Sequence, residues 1–126
     1  MTRRTERIGE QLRAVLAQLL REELADPRLA PLTITLTRVD VAPDLSQALV
    51  YWSAFDRKAE GPDDAASAER IDGAGEALAH AAAFLRRRLS QEVDLRRVPA
   101  LEFRRDASLE LGARTLDLIR RVNDGE

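Results

Sequence analysis

Apolar residues recur along the chain with two periods. Ile8, Leu12, Val15, Leu16, Leu19, Leu20 and Leu24 are spaced by three and four, which is one face of a 3.6-residue period. They predict an amphipathic helix over 4–24. Asp26-Pro27 ends it, because the residue before a proline is pushed out of the helical region. From 32 to 41 the period becomes two: Leu32, Ile34 and Leu36 alternate with Thr33, Thr35 and Thr37, all strand-compatible. The phase then flips, with Val39 and Val41 apolar on the other parity. A bulge near Thr37 or Arg38 would return both sets to one face. A turn over 42–46 leads into a second strand, 48–55, rich in Val, Tyr, Trp and Phe. So short a connection implies an antiparallel hairpin.

A polar loop over 56–64 holds Gly61-Pro62, and Asp63, Asp64 or Ser67 is placed to cap the next helix. Ile71, Ala74, Leu78, Ala81, Ala82, Leu85 and Leu89 form its stripe. After a polar stretch, Ala100 to Arg105 reads as a third strand with Leu101 and Phe103 on one side. Asp106 or Ser108 would cap a last short helix carrying Leu109, Leu116 and Ile119, and 123–126 is expected to fray. This order implies one α+β domain over 1–126, a sheet with helices on one face. Its core is expected to include Leu36, Val39, Val50, Leu78, Leu85, Leu101 and Phe103. Tyr51, Trp52, Phe55 and Phe84 also read mainly as core.

Composition narrows the chemistry. The chain has no cysteine, which excludes disulfides and thiolate metal sites and suits a reducing cytosol. No apolar run approaches the roughly 20 residues of a membrane span. Net charge is only -2, but it is unevenly placed. Between Asp56 and Glu76 seven acids face three basic residues, giving -4; between Phe84 and Arg105 seven arginines face three acids, giving +4. Such a split can create one basic face on a nearly neutral molecule.

Catalysis finds little support. His80 is the single histidine and lies within the long helix, so no second histidine or cysteine can complete a zinc site or a nucleophile–base pair. Gly73 and Gly75 sit in a helix and make no phosphate loop. No metal, cofactor or enzymatic activity is expected. Nucleic-acid binding fits better. Arg86, Arg87 and Arg88 are spread around the helix between the inward Leu85 and Leu89, so some of them must face water. Arg96 and Arg97 follow, then Arg104 and Arg105, while Arg3, Arg4 and Arg7 make a second cluster at the start of the first helix. On charge alone a merely solvated helix end reads the same way.

The chain carries, in order, Glu23-Leu24-Ala25-Asp26-Pro27-Arg28-Leu29, then Val39 to Ala48 around Ala42-Pro43-Asp44-Leu45-Ser46, then Leu49-Val50-Tyr51-Trp52-Ser53. Phe84-Leu85-Arg86, Leu95 to Phe103 and Asp106-Ala107-Ser108 follow. Together these strings resemble the ribosome-binding factor A family over nearly the whole chain, the last three matching its C-terminal half. It implies a type II KH-like fold, with three strands and helices in the order α-β-β-α(kinked)α-β, plus the short C-terminal helix. It also implies an RNA-binding kink at Ala81-Ala82-Ala83, where the family has Ala-x-Gly; here Ala83 replaces the glycine. The family's basic C-terminal tail is expected to be missing. The implied function is maturation of the small (30S) ribosomal subunit, including processing of the 5′ end of its 16S rRNA and growth in the cold. The implied partners are that RNA, the free subunit and, functionally, assembly GTPases. A cytoplasmic monomer is expected. The alternatives are a generic KH-like RNA or protein adaptor, a small enzyme, or a helix-pairing protein that uses the first helix.

Overall fold

The computed structural model describes residues 2–61, 63–106 and 108. Helix α1 runs from Arg3 to Glu23. Thr2 caps it: its hydroxyl accepts from the Thr5 N–H at 3.2 Å, and the Thr5 hydroxyl accepts from the Thr2 N–H at 3.1 Å. Leu24 turns extended, so the helix stops at Glu23, one residue before the expected end. Asp26 then caps a single 3-10 turn, Pro27–Leu29, by accepting from the Arg28 N–H at 2.9 Å.

Strands β1 (Leu32–Val41) and β2 (Gln47–Asp56) form the antiparallel hairpin. The register steps from Leu36↔Trp52 to Arg38↔Tyr51, so Thr37 is the bulged residue. That extra residue puts Leu32, Leu36, Val39 and Val41 on one buried face, as the phase flip requires. In the turn, the Asp44 carboxylate accepts from the Ser46 N–H and hydroxyl, at 3.0 and 2.6 Å. Leu45 takes a left-handed backbone (φ 60), which is unfavourable for a branched residue. Its side chain is buried in the core, and that burial offsets the backbone cost.

Asp64, one of the three candidate caps, starts helix α2, Ala65–Glu92. Arg70 ties this start to the end of β2, donating from Nε to buried Asp56 at 2.6 Å and from Nη2 to Asp64 at 3.2 Å. Burial pushes the Asp56 carboxyl up. Arg70, the Lys58 N–H and the Ser67 hydroxyl outweigh that push and hold it below its usual value.

Helix α2 is helical throughout, without a break at Ala81–Ala83. The two helices expected on either side of the kink are therefore one continuous element of 28 residues. The physical reason is local: three alanines, the strongest helix formers, stand where a glycine would weaken the helix by roughly 1 kcal/mol. The short C-terminal helix and the frayed end lie outside the described residues.

The chain returns through α2 to β3 (Ala100–Arg105), which pairs parallel to β2 and gives the sheet order β1-β2-β3. Ile8, Leu12, Leu16 and Leu19 of α1 meet Ile71, Leu78, Leu85 and Leu89 of α2 and the inner face of β1 and β2 in one core. Gly9 lets α1 lie directly on β1, since a Cβ there would stand well under 3.0 Å from the Val39 carbonyl oxygen. Leu101 and Phe103 are only half-buried, against expectation, because β3 is a short edge strand. Phe55 also departs from the core reading: it is 63% exposed, on the β2 parity that faces away from the helices.

Candidate nucleic-acid interface

Helix α2 directs Leu78, Leu85 and Leu89 inward until they are fully buried. That facing leaves Ala82, Ala83, Arg86, Arg87 and Ser90 along one flank, at helical spacings of three and four. Beside them run Arg97, Val98, Ala100 and Leu101, at the approach to β3. The two walls enclose an open groove of about 630 Å³. The small side chains at 82 and 83 make it concave, and three guanidinium groups stand around it. Every charged residue in its lining is an arginine.

The three consecutive arginines have three different surroundings. Arg86 donates from Nε and Nη2 to the Val98 carbonyl, at 3.2 and 3.0 Å, and so joins one wall of the groove to the other. The Arg87 guanidinium lies 5.9 Å from the Phe84 ring centroid and has no carboxylate partner among the described residues. Arg88 turns away from the groove. It donates to both Glu23 oxygens at 2.8 and 2.9 Å, to Glu92 at 2.9 Å and to Gln91 at 2.6 Å. Hydrogen bonds to Glu23 and Glu92 raise its already high pKa, and the Arg88 hydrogen bond lowers that of Glu23. Arg88 is a clasp between α1 and α2.

Arg97 faces the groove and lies near Asp44 of the hairpin turn. The Asp44 pKa is lowered chiefly by the Ser46 hydroxyl and N–H, with a smaller contribution from Arg97. Arg96 is exposed in the same connection but outside the groove lining. Ala81 packs into the core, while Ala83 is exposed at the groove. Arg3, Arg4 and Arg7 are exposed on the first turns of α1 and form a separate basic cluster. The groove thus gathers Ala83, Arg86, Arg87 and Arg97 from the residues singled out in the sequence. Ala82 entered only as the middle of the expected kink, and Ser90, Val98, Ala100 and Leu101 carried no expectation of RNA contact. Ala82 and Ser90 lie four residues on either side of Arg86, a spacing from which the flank can be read.

Among the described residues no three His, Cys, Asp or Glu side chains converge on a possible metal site. His80 is exposed, with Nδ1 3.3 Å from Arg28 Nη2. Among the described residues no helix is long and apolar enough to cross a membrane.

A hairpin followed by a long crossover helix and a third strand parallel to β2, with one helix before the hairpin, is an α+β domain of the KH-like class. The family model of ribosome-binding factor A matches residues 4–119. A protein of Pseudomonas syringae pv. syringae named ribosome-binding factor A is 41% identical over 125 residues, covering 98% of this chain and 83% of its own length. The crystal structure of ribosome-binding factor A from Thermus thermophilus superposes with a TM-score of 0.62 at 32% identity, over 80% of this chain and 93% of that one. A homology model of the Thermus thermophilus factor, fitted into the cryo-EM map of a 30S–RBFA complex, gives a TM-score of 0.57 at 32% identity, over 79% of this chain and 91% of that one. The chain belongs to the ribosome-binding factor A family.

Proposed function

We propose that this chain is an assembly factor that binds the free small ribosomal subunit and its 16S rRNA and acts on late maturation without catalysing a reaction. The Thermus thermophilus relative placed in a 30S complex supports this reading. The observation that carries it here is the groove beside α2, whose charged lining is Arg86, Arg87 and Arg97. Guanidinium groups suit phosphate oxygens because their fixed fork of donors matches them. Arg87 and Arg97 are the primary RNA contacts. Arg86 shapes the groove and offers its remaining donors, and Arg96 extends the basic edge. Arg3, Arg4 and Arg7 form a second, independent contact.

Contacts of this kind position a protein on RNA without reading its sequence. The factor would therefore recognise the shape of an immature subunit and hold it, as a single-domain cytoplasmic monomer without a cofactor. Processing of the 5′ end of the rRNA, growth in the cold and the functional link to assembly GTPases would follow from that placement.

The test is sedimentation of a tagged chain through a sucrose gradient from cells. Co-migration with free small subunits, and depletion from translating ribosomes, is the expected result. Equal association with both, or with neither, favours the generic adaptor reading.

A further inference from the structure

We infer that the free edge of β1 is a docking site for an extended, acidic segment of a partner protein. Strand β1 lies at the edge of the sheet. The Arg57 N–H donates to the Pro31 carbonyl, so that pair belongs to the hydrogen-bonded set of the hairpin. Alternation then turns Thr33 and Thr35 toward β2 and directs the backbone groups of Leu32, Ile34 and Leu36 out of the sheet. Those three residues line a groove of about 510 Å³ between β1 and the C-terminal part of α1. Leu20, Leu24 and Leu29 form its apolar wall, and Ile34 is only half-buried at its floor. Further along the strand the edge is closed, because Gly9 brings α1 onto Val39.

An outward-facing row of backbone donors and acceptors beside an apolar wall fits an added strand: the main chain pairs with the edge and alternate side chains enter the groove. The rim sets the charge of the occupant. Arg21 and Arg57 stand at the groove with no carboxylate partner among the described residues. Arg57 donates instead to the Thr33 hydroxyl at 2.9 Å and to the Ala30 carbonyl. Asp26, the acid in the lining, is already engaged by Arg28 at 2.8 Å. The rim therefore presents two cations and favours carboxylates at the ends of the incoming segment. Arg86, Arg87 and Arg97 are not part of this groove, so its occupancy can be tested apart from subunit binding.

The probe is a short synthetic peptide that alternates valine or leucine with threonine and carries an aspartate at each end. Three controls accompany it: a lysine-ended version, a version N-methylated on alternate amides, and the Arg21→Glu chain. Binding is followed by amide NMR shifts of the full chain. The expected result is saturable shifts at Leu32, Ile34 and Leu36, with affinity lower by about tenfold for the lysine-ended peptide. Arg21→Glu weakens the acidic peptide, N-methylation abolishes binding, and the Arg87→Gln and Arg97→Gln variants bind the peptide unchanged. Absence of shifts at this edge, equal binding of both peptides, or a concentration-dependent dimer through β1 overturns the inference.

Discussion

Arg88 of α2 grips Glu23 of α1 through two parallel hydrogen bonds, Nε to Oε1 at 2.8 Å and Nη2 to Oε2 at 2.9 Å. The same guanidinium also reaches Glu92 and Gln91, so it closes a network rather than a single pair. Isolated surface ion pairs contribute little, but a bidentate arginine with several partners is the favourable case. Arg88→Gln should therefore lower the melting temperature. It should leave the affinity for small subunits and its salt dependence unchanged. A double-mutant cycle with Glu23→Gln should show coupling between the two positions. Strict additivity would remove the clasp.

Gly9 is set by space. Its added Cβ would collide with a backbone oxygen of β1, and neither backbone can yield cheaply. Gly9→Ala should raise local helix propensity yet destabilise the fold, by roughly 1–3 kcal/mol as for other overpacked sites. Urea denaturation measures it, and a midpoint at or above that of the natural chain would show that α1 can shift.

Asp26 links pH to stability. The Arg28 side chain and N–H hold its carboxyl at about 2, below the ordinary 3.8. A depressed carboxylate pKa stabilises the fold above the unfolded value, and that contribution is lost as pH falls through the folded value. Asp26→Asn should therefore lower the melting temperature near neutral pH, and the gap from the natural chain should close between about pH 4 and pH 2. A gap constant across that window would mean that the side chain works as a neutral cap only.

Residues with one strong local rule were legible in the sequence. The parity flip between Leu36 and Val39 required a bulge, and Thr37 is bulged. Asp64 was among three capping residues that local chemistry allowed. Position within the sheet was not legible. Phe55 looks like core in a strand of apolar residues, and only the placement of both helices on the opposite face leaves it in water. The same limit applies to the arginines. Arg86, Arg87 and Arg88 look equivalent in a row, but Val98 and Glu23, 12 and 65 residues away, divide them into a groove brace, a free cation and an interhelical clasp. Sequence patterns report local periods, while these roles depend on contacts between distant segments.

That division sharpens what the groove should do. Arg87 and Arg97 line it without a carboxylate within ion-pair distance among the described residues, so their charge remains available to phosphate. Each phosphate contact releases counterions from the RNA, and losing one flattens the slope of log affinity against log salt by about one unit. Arg87→Gln and Arg97→Gln together should therefore reduce the slope for small-subunit binding by about two units and weaken binding most at low salt. Melting temperature should hardly move, since both side chains are exposed and neither holds another element in place. The Arg88→Gln variant gives the opposite pattern, with lost stability and an unchanged slope, and so serves as the control. If the double variant folds normally and retains both the natural affinity and the natural slope, the RNA contact moves to Arg3, Arg4 and Arg7. The same measurement on a triple glutamine variant of those three then locates it.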